Sequence, residues 1–161
     1  MSEHKHFKLT KEVKIFDGIT LYRIQATKDL PNGVKKGDLG GYVEKLENLD
    51  GNAWVYGDAR VYGDAWVSGN VRVYGNAKVS SRTELLFITT RQFTITITPQ
   101  NISIGCELFE RKGKNTFLKL YKTVAKKHNI SKEDVEMFKD AIKFGLKHVK
   151  GEKNLSNLKG D

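Results

Sequence analysis

A six-residue pattern of apolar and polar positions dominates the middle of the chain. Residues 51–80 read GNAWVYGDARVYGDAWVSGNVRVYGNAKVS, which is five consecutive hexads of the form G-[ND]-[AV]-x-V-[YS] without an insertion. The valine position can be followed back to Leu49 and Val43, so the register begins near residue 38. A period of six fits neither a helix nor a simple alternating strand. Each hexad is therefore predicted to form one short strand and one turn, with glycine and asparagine or aspartate at the corner.

Three hexads complete one repeat of this arrangement, so residues 18 apart are predicted to stack. In the interior, Val55 then lies over Val73. One flat outer side carries a group of aromatic and basic side chains: Trp54, Tyr56, Arg72 and Tyr74. Large rings are unusual on a solvent-facing surface, so this group is the first candidate site, for recognition of a partner or a base or for self-assembly.

The spacing of an aliphatic residue and a small one, as at Val55 and Ala59, resembles that of hexapeptide-repeat proteins. That family implies a short β-solenoid, a left-handed parallel β-helix. The stretch LYRIQATKDLPNGVKKGDLGGYVEKLENLDGNAWVYGDA, which ends at Ala59, also looks like small phage and prophage proteins of unassigned role. Those proteins open with a hairpin, enter the hexads and often end in a small α/β domain.

The flanking segments predict the remaining elements. VKIF and ITLYRI surround Asp17-Gly18, a pair typical of a two-residue hairpin turn. The C-terminal half contains three strand-like stretches, within 83–89, 92–98 and 101–109, followed by helices at about 116–128 and 132–149. The two helices are expected to cover one face of the sheet and to leave the other face open for a partner.

These elements predict a β-solenoid with an N-terminal β-hairpin cap and a C-terminal α+β domain. The cap spans 1–37, the hexapeptide-repeat segment 38–80 and the basic α+β domain 81–161. The α+β domain is predicted to consist of a three-stranded antiparallel sheet and two helices.

Charge is unevenly distributed along the chain, whose formal net charge is +9. Residues 1–80 contain 12 Lys and Arg against 10 Asp and Glu, whereas residues 81–161 contain 16 against 9. The basic C-terminal half favours polyanionic partners such as nucleic acid, although added solubility explains it equally well. The candidate anion-binding residues are lysines of the C-terminal segment: Lys126, Lys127, Lys139, Lys143, Lys147 and Lys150. A solvated helix face is the alternative interpretation of these lysines.

Catalytic and metal-binding groups are sparse. Hexapeptide enzymes generally use a catalytic histidine, and the related carbonic anhydrases bind zinc through three histidines. The four histidines of this chain (His4, His6, His128 and His148) all lie outside residues 7–127. Cys106, the single cysteine, is predicted to be an inert core thiol. The sequence therefore predicts a protein that is not an enzyme and that uses no cofactor or metal.

The leading hypothesis is a non-enzymatic binding protein of phage or prophage type that inhibits host antiviral defence. Such a protein would bind a defence effector, as anti-CRISPR proteins do, or sequester an anionic nucleotide signal. The alternatives are a nucleic-acid-binding accessory protein and a structural self-assembly module, with a hexapeptide acyltransferase the least favoured. The resemblance also implies a homo-oligomer, either a trimer or a dimer.

The expected location is the cytoplasm of a bacterial host, without a membrane partner. The longest apolar run, LLFI at 85–88, is far too short to span a bilayer. The first residues lack the apolar core of a signal peptide, and a single cysteine is typical of a reducing compartment.

Overall fold

The computed structural model describes residues 5–89, 93–105, 107–111 and 115–149. The chain forms two compact units, Met1–Arg82 and Thr83–Asp161. Each unit contains its own buried apolar residues. Within the described ranges, neither helix is long and apolar enough to cross a membrane.

The first unit begins with a hairpin of two strands, β1 (Phe7–Phe16) and β2 (Ile19–Ala26). Its turn is the predicted Asp17-Gly18 pair, and both residues have positive φ angles, 53° and 79°. Aspartate and glycine tolerate this backbone region, which explains why the pair closes the hairpin. A third strand, β3 (Leu39–Val43), pairs antiparallel with β2.

The hexads contribute four strands of two residues each. They are β4 (Trp54–Val55), β5 (Arg60–Val61), β6 (Arg72–Val73) and β7 (Lys78–Val79). Strand β4 pairs in parallel with β6, and β5 pairs in parallel with β7, so that each residue is opposite the one 18 positions later. An isolated parallel bridge joins Leu49 and Val67 in the same register. The predicted stacking of residues 18 apart is therefore confirmed.

The prediction of a β-solenoid, a left-handed parallel β-helix with a separate hairpin cap, is wrong. The described strands of the first unit form one mixed sheet in the order β1-β2-β3-β5-β7 and a separate two-stranded sheet of β4 and β6. The sheets are neither closed nor coiled into a continuous parallel helix. The physical reason is that β3 has two edges: one accepts the hairpin in antiparallel pairing and the other accepts β5 in parallel pairing. The hairpin is thus part of the mixed sheet.

Two adjacent glycines allow β3 to lie close to the repeat. A Cβ atom on Gly41 would be 2.6 Å from the carbonyl oxygen of Ala59 and 2.6 Å from a methyl group of Val55. A Cβ atom on Gly40 would be 2.6 Å from the carbonyl oxygen of Val55. Real Cβ atoms do not approach backbone oxygens this closely, so glycine is required at both positions. The apolar residues that fill this region have no exposed surface: Ile24, Val43, Leu49, Val55, Val61, Val67, Val73 and Val79.

The second unit contains a four-stranded antiparallel sheet and two helices. The strands are β8 (Leu86–Thr89), β9 (Thr94–Ile97), β10 (Asn101–Ile104) and β11 (Glu107–Glu110), in the order β11-β10-β9-β8. The helices are α1 (Asn115–His128) and α2 (Lys132–His148). Ser131 caps α2 and accepts a hydrogen bond from the backbone N–H of Asp134 at 3.1 Å.

The prediction of three strands in this sheet is wrong because the third predicted strand is two strands. Gly105 has a φ of 58° and turns the chain between β10 and β11. Leu108 consequently pairs with Ser103 and shares its side of the sheet, instead of the side that holds Ile102 and Ile104. Cys106 lies outside the described residues.

Side-chain packing between the sheet and the helices builds the core of this unit. Its fully or almost fully buried members are Ile95, Ile97, Ile102, Ile104, Leu120, Val124, Phe138, Ile142 and Val149. On the other side of the sheet, Thr96, Thr98 and Ser103 are buried, whereas Leu108, opposite Ser103, is 40% exposed. The expectation of an uncovered sheet face is therefore wrong for the three buried residues.

Candidate functional site

The structure brings three residues of the predicted aromatic side together. The rings of Tyr56 and Tyr74 stack with their centroids 4.5 Å apart and an angle of 13° between their planes. Arg72 donates a hydrogen bond from Nη1 to the Tyr74 hydroxyl at 3.5 Å. We call these three residues the tyrosine stack. Each ring occupies a face of the other, so both are half-buried before any partner binds.

The raised pKa of Tyr56 makes an acid–base role of the tyrosine stack at neutral pH unfavourable. Burial, followed by the neighbouring Tyr74, raises the pKa of Tyr56 to about 12, while the Arg72 charge acts in the opposite direction. Tyr56 therefore stays protonated at neutral pH, and its hydroxyl remains a hydrogen-bond donor.

Trp54, the fourth residue of the predicted aromatic side, does not reach the surface. Only 1% of it is exposed, so the expectation of an outward ring is wrong. The N-terminal segment covers it: His6 lies with its ring centroid 6.3 Å from that of Trp54 and makes a 2.6 Å hydrogen bond to the carbonyl oxygen of Ala53. Lys5 donates to the carbonyl oxygen of Leu49 at 2.8 Å. Hexad register alone cannot show that a distant segment packs over one position.

His6 is a structural residue in this arrangement. It is 2% exposed, and burial, the largest cause, lowers its pKa below the usual value. Because the carbonyl oxygen of Ala53 can only accept, Nε2 carries the proton in this hydrogen bond. His4, the other half of the N-terminal histidine pair, lies outside the described residues.

The predicted anion-binding lysines do not share one environment. Lys127 forms an ion pair with Glu107, and Lys139 forms one with Glu136 on its own helix. The side chains of Lys126 on α1, and of Lys143 and Lys147 on α2, are exposed, and Lys150 lies outside the described residues. Two of the six lysines thus already have carboxylate partners, which favours a solvated helix surface at those positions.

Sequence reasoning missed a groove of about 540 Å³ in the first unit. Its lining residues are Lys45, Glu47, Gly63, Asp64, Ala65, Trp66 and Arg82. Trp66 is 47% exposed, and the Arg82 guanidinium carbon lies 5.5 Å from the centroid of its ring. We call this the Trp66 groove.

Buried and partly buried hydrogen bonds join the two walls of the Trp66 groove, residues 44–48 and residues 63–65. Asn48 has no exposed surface; its Oδ1 accepts from the Lys45 backbone N–H at 3.0 Å. Its Nδ2 donates to the carbonyl oxygens of Ala65 at 2.9 Å and Gly63 at 3.4 Å. The Glu44 carboxylate accepts from the Gly63 backbone N–H at 2.6 Å. The groove is therefore a fixed concavity built by the segment just before the first hexad.

One signal for this groove was available in the hexads. The residue 18 positions after Trp66 is number 84, which lies beyond the last hexad at Ser80. Trp66 therefore lacks the stacking neighbour that Tyr56 has in Tyr74. A large ring without a successor in the repeat indicates an exposed aromatic surface.

The residue types of the Trp66 groove fit an aromatic anion. The indole face can stack with a planar base, and Arg82 and Lys45 can contact a phosphate. The carboxylates of Glu47 and Asp64 can accept hydrogen bonds from the same ligand.

No protein-family model matches this chain, and no curated protein matches it. The similarity to hexapeptide-repeat and phage proteins therefore depends only on the residues quoted from the sequence, and it stays a prediction.

Proposed function

We propose that this chain is a non-enzymatic binding protein that holds an anionic nucleotide in the Trp66 groove. The observation that carries the proposal is the half-exposed Trp66 ring with the Arg82 guanidinium 5.5 Å from its centroid. Lys45 supplies a second cation to the same concavity. Aromatic stacking next to positive charge is the common way in which proteins hold unpaired bases.

A rough affinity follows from these contacts. Stacking of one base contributes about 1–3 kcal/mol, and a hydrogen bond to a charged group about 1.5–3 kcal/mol. One stacked base and one phosphate contact together contribute about 2.5–6 kcal/mol, which corresponds to a dissociation constant between about 0.04 and 15 mM for a mononucleotide. Tighter binding requires a larger ligand or a second copy of the site.

The biological role stays a prediction built on this proposal. Sequestration of a nucleotide signal is the form of the anti-defence hypothesis that the Trp66 groove supports, because it needs a binding site and no catalysis. In that role, the protein acts in the cytoplasm of a bacterial host during phage infection or lysogeny. The other form, direct binding of a defence effector, has the tyrosine stack as its candidate surface.

Tryptophan fluorescence tests the proposal directly. Titration of the full chain with AMP at low ionic strength should give saturable quenching, because the base stacks on the exposed Trp66. Trp66→Ala should abolish binding measured by calorimetry, whereas Trp66→Phe should retain part of it. Tyr74→Ala is the matched control and should bind AMP like the parent protein. The proposal fails if Trp66→Ala binds as tightly as the parent or if the parent binds no nucleotide.

Self-assembly through the tyrosine stack is the second candidate function. It is favoured by two half-buried rings and an arginine on one side of the repeat, which are residue types that dominate protein interfaces. Sedimentation equilibrium should then show a dimer or trimer for the parent and a monomer for Tyr74→Ala. An unchanged mass in the variant would exclude this surface.

A further inference from the structure

We infer that the Trp66 groove selects a nucleotide whose phosphate carries a single negative charge, as a phosphodiester does, and whose base presents an amino group. The inference rests on the proposed function, since it specifies the ligand of the same site. Two features of the groove carry it: the balance of positive and negative side chains around Trp66, and the carboxylates of Glu47 and Asp64.

The charged side chains of the groove cancel. Lys45 and Arg82 contribute two positive charges, and Glu47 and Asp64 contribute two negative charges. A ligand with one negative charge can be placed near the cations and away from the carboxylates. Each further charge in a groove of this size also meets a carboxylate, and in water one unit charge about 4 Å from another costs roughly a fivefold loss of affinity. A triphosphate is therefore a poorer ligand than a diester.

The two carboxylates are available to a ligand. Among the residues that the structure describes, neither Glu47 nor Asp64 forms an ion pair or a side-chain hydrogen bond within the protein. An ionised carboxylate only accepts hydrogen bonds. It complements the amino groups of adenine, cytosine and guanine, whereas uracil places carbonyl oxygens on both sides of its single N–H group.

A phosphodiester-linked nucleotide can come from two sources, a free cyclic nucleotide or a short strand of RNA. Both present one charge per phosphate and an unpaired base, so the groove chemistry is shared. A cyclic mononucleotide and a linear dinucleotide therefore serve as separate arms of one experiment.

The experiment compares ligands of one base with increasing phosphate charge. The full chain is titrated by calorimetry at low ionic strength with 3′,5′-cyclic AMP, AMP and ATP, and then with 3′,5′-cyclic UMP and the linear dinucleotide ApA. Cyclic AMP should bind about three- to tenfold more tightly than ATP, because of the repulsion from the carboxylates. Cyclic UMP should bind more weakly than cyclic AMP.

The double variant Glu47→Gln and Asp64→Asn isolates the carboxylates. It should strengthen ATP binding more than cyclic AMP binding and should reduce the preference for adenine over uracil. Glu133→Gln, a charge removal at an exposed position of α2, is the matched control and should leave the order of ligands unchanged.

The outcomes separate this inference from the proposed function. If ATP is the tightest ligand of the parent protein, the inference on charge is wrong while nucleotide binding stands. If the double variant keeps the parent's order of ligands, the role of the carboxylates is wrong. If no nucleotide binds, the proposed function itself fails. Binding of ApA at least about fivefold tighter than cyclic AMP supports the inference and assigns the ligand to a strand, since a second stacked base adds about that factor or more.

Discussion

Two tryptophans occupy the same hexad position, yet their surroundings are opposite. Trp54 is 1% exposed beneath the N-terminal segment, and Trp66 is 47% exposed at the wall of the groove. Both follow an alanine and precede a fully buried valine, so local sequence sets the same backbone at each site. The difference comes from elements far away in the chain. His6 covers the first ring, whereas the Arg82 guanidinium lies 5.5 Å from the centroid of the second, which stays half-exposed.

This difference shows that one hexad position can place the same residue type in the core or at the surface. A side chain's position in the hexad determines its direction, and its availability depends on what the rest of the chain places against it. Where a neighbour exists, as for Trp54, a large ring adds apolar burial to the core. Where the position 18 residues later lies beyond the last hexad, as for Trp66, the same ring stays half-exposed.

The largest expected effect is on stability, and it separates the two rings. Trp54→Ala should lower the free energy of unfolding by about 3–5 kcal/mol, because it leaves a cavity in a closely packed site. Trp66→Ala should change that free energy by no more than about 0.5 kcal/mol. Urea denaturation followed by circular dichroism measures both without depending on tryptophan emission.

Two results would contradict this comparison. Equal losses in the two variants would mean that the Trp66 ring also packs against the core. If Trp54→Ala does not fold, the milder Trp54→Phe provides the test, and it should still be less stable than Trp66→Phe.

The next effect concerns the frame of the groove. Asn48→Ala leaves the Lys45 backbone N–H and the Ala65 carbonyl oxygen without their buried partner, which should cost about 1–3 kcal/mol of stability. It should also weaken nucleotide binding, because the two walls lose their connection. Asn70→Ala is the matched control: Asn70 is exposed and accepts one 3.3 Å hydrogen bond from Asn52. A loss in the control as large as in Asn48→Ala would show that asparagine has a general role in the repeat rather than a specific one at the groove.

Local pattern was sufficient to predict some features of this fold. The parallel pairing of residues 18 apart follows from glycine corners and valine spacing, and the Asp17-Gly18 turn follows from its two residues. The sheet order was not predictable, because β3 pairs on one edge with the hairpin and on the other with β5. The spacing of the hexads does not indicate which distant strand will pair with the free edge of a neighbouring strand.

The candidate site was predicted only in part, for the same reason. The contact between Tyr56 and Tyr74 lies within the repeat and follows from its period. The Trp66 groove needs Asn48 to fix the preceding segment and Arg82 to approach from beyond the last hexad. Those contacts depend on tertiary packing, which no repeat pattern encodes.

A smaller effect tests whether the Tyr74 ring stabilises the fold and raises the pKa of Tyr56. Tyr74→Ala should cost about 0.5–1.5 kcal/mol through loss of ring stacking. It should also lower the pKa of Tyr56 from about 12 towards 10, since it removes both the cover and the neighbouring hydroxyl. Because the folded-state pKa is raised, the stability that this group contributes is present below pH 10 and is lost as pH rises towards 12. Ultraviolet absorbance titration, with Tyr56→Phe to identify the signal, measures the shift. An unchanged value would mean that Tyr74 does not control the environment of Tyr56.

The smallest effect is a pH dependence of the folding stability that comes from His6, the residue that covers Trp54. Burial lowers the pKa of His6 in the folded state below its usual value of 6.5, so the unfolded chain binds a proton more readily. The stability that neutral His6 contributes is therefore present above pH 6.5 and is lost as pH falls from 6.5 through the lower folded-state value. In a Trp66→Phe background, where Trp54 is the remaining tryptophan, urea midpoints measured from pH 7.5 to 5 should fall. His6→Gln keeps a donor for the Ala53 carbonyl oxygen and removes the titration, so its midpoint should fall less over the same range. Parallel pH profiles for the two proteins would show that His6 does not couple protonation to the cover over Trp54.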